Sequence, residues 1–133
     1  MKTTKRTNEI ISKFNTLGIF PTDEELDYIA RAESYFGETG GVTVSGGEPL
    51  LQAHNLVHFF KRLKEENIHT NIDTNGRILN HPVMELLDNY ADLIMLDIKH
   101  MTEEGYQKIT GQKNKETAFH LAKYREASGK KMW

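Results

Sequence analysis

The chain of 133 residues is 38% hydrophobic and 27% charged, proportions that are typical of a single globular domain with one core. Its 17 basic and 19 acidic side chains give a formal charge of -2, and no apolar run approaches the roughly 20 residues of a membrane span, so we expect a cytoplasmic protein without nucleic-acid or membrane partners. The sequence contains no cysteine, which excludes disulfides, cysteine nucleophiles and thiolate-held metal clusters within these residues.

The amino-terminal part of the chain gives the weakest signals. Apolar residues from Ile10 to Leu17 follow a helical spacing, but residues 1–20 cannot be placed in any larger pattern. Thr22 followed by Glu25 forms a capping box, which predicts a helix that ends near Gly37. We therefore expect one domain over residues 21–133, preceded by an unplaced segment.

A repeated strand and helix unit follows the Gly40-Gly41 break. Short β-branched or apolar runs alternate with longer segments whose apolar residues recur every three or four positions. Pro49 stands at the expected first turn of the longest helix, and polar turn material is expected between residues 99 and 115. The predicted strands are 42–44, 68–72, 93–98 and a fourth that begins at 131, and the predicted helices are 50–64, 82–89 and 116–127.

Alternation of this kind predicts an α/β fold with a parallel sheet of about three to four strands and flanking helices. Functional residues of such folds gather at the carboxyl ends of the strands. Three or four strands leave two edges of the sheet unpaired, and the chain stops within its last predicted strand. We therefore interpret the chain as an incomplete (β/α) barrel, a central piece of a larger domain.

The first strand end carries Gly46, Gly47 and Glu48. Two glycines before a helix let the backbone approach a ligand, which alone would favour a phosphate site. Glu48 would repel a phosphate, whereas a carboxylate beside free backbone groups suits the ammonium of an amino acid. A tight turn in which Glu48 only complements the helix dipole is the plainer interpretation, and both stay open on these residues alone.

The next two strand ends carry Asp73-Thr74-Asn75 and Asp97 with Lys99. Asp73 and Asp97 occupy equivalent positions on neighbouring predicted strands, where two carboxylates either share a cation or one of them takes a proton. Lys99 is the natural partner of Asp97, two residues along the same strand face. The structural alternatives are capping of a turn by Asp73 and a solvated Lys99.

Two histidines, His54 and His58, lie four residues apart on the longest predicted helix. That spacing would allow both rings to bind one metal ion. No third ligand is indicated by spacing, so we interpret them as surface residues.

Three stretches, Gly40–Gln52, Glu66–Gly76 and Ala91–Lys99, together closely resemble the pyruvate formate-lyase activating enzymes, a branch of the radical S-adenosylmethionine superfamily. The resemblance extends more loosely from Thr22 to Trp133. It implies a partial (β/α) barrel that holds a 4Fe-4S cluster and S-adenosylmethionine. It also implies reductive cleavage of that cofactor to a 5′-deoxyadenosyl radical, which abstracts hydrogen from a glycine of a glycyl radical enzyme such as pyruvate formate-lyase.

Carried over residue by residue, the resemblance implies two sets of ligands. Gly46, Gly47 and Glu48 match the family's motif at the methionyl amino group, and Lys99 matches a lysine near the cofactor. The implied cofactor-binding residues are Gly46, Gly47, Glu48, Asp73, Asn75 and Lys99. The residues implied around a monovalent cation beside the cofactor carboxylate are Asp73, Thr74, Met95 and Asp97.

One departure from the family is plain, because the Cys-x-x-x-Cys-x-x-Cys loop that holds its cluster has no counterpart here. We expect no iron-sulfur ligands and no catalytic residue within this chain, which would be inactive alone. The leading hypothesis is the central part of a glycyl-radical-enzyme activase. A non-catalytic S-adenosylmethionine-binding or interaction module and a small α/β phosphate-binding protein are the alternatives.

Overall fold

Helices and strands alternate through the part of the chain that the computed structural model describes, which is Glu9 and Ile10, residues 22–30 and residues 40–133. The helices are α1 Asp23–Ala30, α2 Ala53–Glu65, α3 His81–Asn89, α4 Glu103–Thr110 and α5 Lys115–Ala127, with a 3-10 turn over Pro49–Gln52. The strands are β1 Gly41–Val44, β2 His69–Thr74, β3 Leu93–Leu96 and β4 Lys131–Met132. The predicted α/β class is confirmed.

The four strands form one parallel sheet in the order β1-β2-β3-β4. Each strand therefore pairs with its neighbour in sequence, and a helical crossover connects every pair. All carboxyl ends lie along one edge of the sheet. The sheet and its helices are the partial (β/α) barrel predicted from the sequence.

The two faces of the sheet have different surroundings. Val44, Ile72 and Ile94 share one face by their register, and none is more than 1% exposed. They belong to a core that includes side chains of α2, α3 and α5. The opposite face carries Asp73 beside Met95, both half-buried. Burial of the first face fixes the register and thereby directs these two side chains to the other face.

Side-chain caps mark the starts of several helices. The predicted capping box is confirmed at α1, where Glu25 N donates to Thr22 Oγ1 at 3.2 Å and Thr22 N donates to Glu25 Oε2 at 3.0 Å. Asn80 caps α3 in the same way, by accepting from Val83 N at 3.1 Å. The rest of the helix expected toward Gly37 and the apolar spacing from Ile10 to Leu17 lie largely outside the described residues.

Several predicted boundaries were wrong. The segment expected to be polar turn material contains α4, whose Tyr106 is fully buried and whose first turn is capped by Thr102. Strand β2 continues through Asp73 and Thr74, which were assigned to a turn, while β3 ends at Leu96 rather than at residue 98. The longest helix begins as the 3-10 turn at Pro49, because Glu48 caps that turn.

The amino ends of β3 and β4 are joined to α5 by a buried arginine. Arg125, fully inaccessible, donates to the carbonyls of Leu87 at 2.5 Å, Ala91 at 2.8 Å and Lys131 at 3.1 Å, and also to that of Asp92. Charge-assisted hydrogen bonds to several carbonyls satisfy the guanidinium without a carboxylate in direct contact. No helix among the described residues has the length and apolar character needed to cross a membrane.

Candidate functional site

Strand ends of β1, β2 and β3 bring the predicted site residues to one corner of the sheet. The backbone closes that corner, because Asp97 N donates to the Thr74 carbonyl at 2.9 Å just beyond the last paired residues. Glu48, from the loop after β1, contacts residues at the end of β2. The edge therefore gathers Glu48 from the loop after β1, Asp73 from the end of β2 and Asp97 from the loop after β3, near Lys99.

The glycine loop after β1 is exposed and has a left-handed backbone. Gly46 has a φ of 88° and Gly47 a φ of 53°, a region that side chains with a Cβ rarely adopt. A Cβ on Gly47 would meet nothing within 4 Å, so its backbone conformation rather than crowding requires glycine. The loop thus offers open backbone groups beside Glu48.

The Glu48 carboxylate connects the two strand ends. Oε1 accepts hydrogen bonds from Leu50 N at 3.0 Å and from the Thr74 hydroxyl at 2.5 Å, and Oε2 accepts from Asn75 N at 2.9 Å. A carboxylate has about four acceptor positions. Within the described part of the chain three are used, which leaves one position, on Oε2, for a donor from a ligand.

Lys99 is the cation of this corner. Its ammonium forms an ion pair with Asp97, as the sequence predicted, although both residues lie in the loop after β3 rather than within the strand. The hydrogen bond from Lys99 to Asp97 raises the pKa of the lysine, burial opposes this, and the charges of Asp97, Asp73 and Glu48 raise it further. Among the described residues, the three carboxylates therefore share the positive charge of Lys99.

The residues predicted around a monovalent cation are brought together in part. Asp73 pairs in register with Met95. Asp97 lies two residues after Met95, at the start of the loop that follows β3. The Thr74 hydroxyl is turned to Glu48 and also accepts from Gly76 N at 3.1 Å. No cluster of three or more His, Asp or Glu side chains suited to a metal is found among the described residues. The predicted cation set has only two carboxylates and stays a prediction.

Three further residues considered from the sequence have clear positions. Asn75 uses its backbone N–H on Glu48, and its side-chain Oδ1 accepts from Arg77 N at 3.1 Å, an Asx turn that shapes the exit of β2. His54 and His58 are exposed on α2, and His58 lies 3.9 Å from Asp23. The structure adds no ligand set that would turn this pair into a metal site within the described residues.

Sequence reasoning missed the bond between Thr74 and Glu48. The two residues are 26 positions apart, and a hydroxyl on a buried strand gives no periodic signal of its polar partner. The one available hint was a threonine on the buried face of a strand, where a polar group requires a hydrogen bond. Thr74 is 2% exposed.

Comparison with known proteins identifies the family. The chain matches the model of the family described as the Radical SAM superfamily over residues 5–131. The chain belongs to the radical SAM superfamily. The match covers nearly the whole chain, including the strand ends described above.

Curated relatives of this chain include activating enzymes of pyruvate formate-lyase. The chain is 43% identical over 95 residues to the pyruvate formate-lyase 1-activating enzyme of Escherichia coli strain K12, which covers 71% of this chain and 38% of that protein. It is 42% identical over 112 residues to the pyruvate formate-lyase-activating enzyme of Clostridium pasteurianum, 84% of this chain and 46% of that protein. The chain therefore spans less than half the length of the curated relatives it matches.

The superfamily implies two bound groups, S-adenosylmethionine and a 4Fe-4S cluster, and the residues of this chain suit only the first. An open acceptor position on Glu48, the exposed glycine loop and Lys99 suit the ammonium and carboxylate of S-adenosylmethionine. A 4Fe-4S cluster does not fit, because its ligands are thiolates and this sequence has no cysteine.

Proposed function

We propose that this chain is the S-adenosylmethionine-holding part of an enzyme that activates pyruvate formate-lyase, a glycyl radical enzyme. The proposal rests on membership in the superfamily and on the similarity to the pyruvate formate-lyase activating enzymes of Escherichia coli and Clostridium pasteurianum. We place this part in one domain over residues 21–133 of a cytoplasmic protein. Both the domain bounds and the location stay predictions from the sequence.

The observation that carries the proposal is the anchored Glu48 carboxylate. Three donors fix its position and leave one acceptor position on Oε2, and the glycine loop that precedes Glu48 in the chain is exposed. Such a fixed carboxylate suits an ammonium ion better than a phosphate, which it would repel. The phosphate-binding alternative is not favoured, because Glu48 also occupies Leu50 N at the start of the following turn.

Around this anchor we assign the cofactor contacts to Gly46, Gly47, Glu48, Asp73, Asn75 and Lys99. We assign Lys99 to the cofactor carboxylate, which would compete with Asp97 for the lysine ammonium. A monovalent cation would also balance the negative charge of the cofactor carboxylate, and we assign it to Asp73, Thr74, Met95 and Asp97. With S-adenosylmethionine bound, the sulfonium supplies the adenosyl group that the relatives' chemistry uses, whereas this chain's residues bind and orient the amino acid end.

Generation of a radical requires more than these residues, because no thiolate is present to hold a cluster. The complete reaction therefore needs cluster ligands from outside this sequence. A non-catalytic S-adenosylmethionine-binding module is the second candidate, favoured by the same absence of cysteine. An in-frame cysteine triad in the DNA directly upstream would decide for the activase.

Calorimetric titration of the 133-residue chain with S-adenosylmethionine tests the proposal. Glu48→Gln should weaken binding by about 1 to 3 kcal/mol, because an amide keeps the shape but loses the charge that faces the ammonium. The amide would also direct its own N–H groups at donors that now bond to the carboxylate.

His54→Ala is the matched control, since His54 is exposed on α2 and makes none of the contacts of Glu48. It should bind as the wild type does. If Glu48→Gln binds like the wild type while His54→Ala loses affinity, the site is not at the strand ends. Absence of binding by the wild-type chain would contradict the proposed function itself.

A further inference from the structure

The Thr74 hydroxyl occupies a buried position between the two loops of the site. Thr74 is 2% exposed, donates to Glu48 Oε1 at 2.5 Å and accepts from Gly76 N at 3.1 Å. A hydroxyl has a single hydrogen, and here it is directed at Glu48. The short separation is typical of an O–H donor on an ionised carboxylate.

Within its own segment the Glu48 carboxylate has a single donor, Leu50 N. Gly46 and Gly47 precede it, and both have left-handed φ values that only glycine adopts with ease. Leu50 N alone would fix one oxygen and leave the carboxylate plane free to turn. Contacts from Thr74 and Asn75, on the neighbouring strand, set the plane and determine which acceptor position is left open.

We infer that Thr74 is a positioning residue, whose hydroxyl holds the Glu48 carboxylate so that Oε2 faces the ammonium of the bound cofactor. This inference deepens the proposed function and rests on it for the identity of the ligand. Because it commits the Thr74 hydroxyl to Glu48, Thr74 would contribute to the proposed cation site only through its backbone carbonyl.

Strand β2 provides a matched control at its opposite end. Thr70 lies four residues before Thr74 on the same face and is fully buried; its hydroxyl is within donating distance of the Tyr90 carbonyl and of Asp92 Oδ2, and it accepts from Asp92 N at 3.2 Å. Loss of either hydroxyl leaves a buried acceptor without its donor, so both threonine to valine changes carry a similar cost in stability. Of these two threonines, Thr74 is the one that contacts Glu48.

The experiment compares Thr74→Val, Thr74→Ser and Thr70→Val with the wild-type chain in two measurements. The first is the amide spectrum of ¹⁵N-labelled protein without ligand, followed at the Leu50 and Asn75 signals, whose N–H groups bond to Glu48. The second is calorimetric titration with S-adenosylmethionine, carried out with and without potassium chloride.

Thr74→Val should shift both amide signals and weaken binding about tenfold, the loss expected when one hydrogen bond to a charged group is removed. Thr74→Ser should restore the signals and the affinity, because serine keeps the hydroxyl. Thr70→Val should leave both signals and the affinity unchanged.

Unchanged Leu50 and Asn75 signals in Thr74→Val would overturn the inference. It would also be overturned if the affinity of Thr74→Val fell only in the presence of potassium, since that result assigns the hydroxyl to a cation. If even the wild type fails to bind S-adenosylmethionine, the proposed function fails. In that case the statement that Oε2 faces the cofactor ammonium also fails. The amide signals still test separately whether Thr74 holds Glu48.

Discussion

At the scale of single residues, two lysine-carboxylate pairs lie at opposite ends of the sheet and differ in exposure. Lys99 and Asp97, at the carboxyl edge, have side chains that are 40% and 53% exposed. Lys64 and Asp92, at the amino edge, are 33% and 29% exposed, with Nζ and Oδ2 2.6 Å apart. Exposed pairs contribute little to folding stability, so the pair at the amino edge stabilises the fold more, and Lys99 remains available for a ligand.

Asp92 should make the stability depend on pH. Burial raises the pKa of this carboxyl, but hydrogen bonds from Lys64 and from Thr70 N outweigh it, and the pKa falls below the ordinary 3.8. A depressed pKa in the folded state gives stability that is present above 3.8 and lost as the pH falls through the folded value.

We therefore expect Asp92→Asn to be less stable than the wild type by about 1 to 2 kcal/mol at neutral pH. The difference should shrink toward zero in strong acid, where both side chains are neutral. Urea unfolding curves over a series of pH values measure it, and a difference that stays constant with pH would contradict the assignment.

At the scale of the elements, Arg125 connects α5 to the end of α3 and to the starts of β3 and β4. Its four carbonyl acceptors belong to Leu87, Ala91, Asp92 and Lys131. Replacement of the guanidinium removes all four hydrogen bonds, two of which go to the buried carbonyls of Leu87 and Ala91, and each buried group left unsatisfied costs about 1 to 3 kcal/mol. A single side chain thus holds several elements in register.

We expect Arg125→Met to lower the free energy of unfolding by at least about 3 kcal/mol, since methionine fills the space but donates nothing. Lys123→Met, an exposed position on the same helix, is the control and should change stability by less than about 0.5 kcal/mol. Circular dichroism during urea unfolding gives both values. Equal stability of the two variants would show that the arginine network contributes little.

The pattern of apolar residues in the sequence was sufficient to predict the elements in which apolar residues recur regularly. It was insufficient to predict a helix that buries a single side chain. The buried strands and α2 follow from their spacing of apolar residues, and the capping box at Thr22 from its residue types. Helix α4 was missed because Tyr106 is its only buried residue, so the segment has no apolar face. The strand-end residues of the site were found by topology, but the Thr74 bond to Glu48 depends on tertiary contact and leaves no local pattern.

At the scale of the whole molecule, the absence of cysteine means that, under the proposed function, the chain binds S-adenosylmethionine without being able to cleave it. We expect no iron-sulfur absorbance after anaerobic reconstitution of the chain, and no S-adenosylmethionine cleavage with a strong reductant. Iron and sulfide analysis and chromatography of the reaction mixture measure these outcomes. Stoichiometric iron and sulfide on each chain would contradict the expectation.

The two outer strands of the sheet, β1 and β4, each pair with only one strand among the described residues. Exposed strand edges template pairing with other chains, so we expect self-association that grows with concentration. Thr43→Lys, at an exposed position on β1, should reduce it, because a charge on an edge strand opposes pairing. Analytical ultracentrifugation over a range of concentrations measures the effect, and a wild-type chain that stays monomeric throughout would contradict it.

Strand order in the sheet follows the order in which the ribosome makes the chain. Each strand lies beside the one synthesised just before it, so every new strand joins an edge that already exists. The three donors to Glu48 are on Leu50, Thr74 and Asn75, so all of them are translated by the time the chain reaches Gly76. Asp97 and Lys99 lie 22 and 24 residues beyond Asn75, so the lysine of this corner is translated after every donor of the anchored carboxylate.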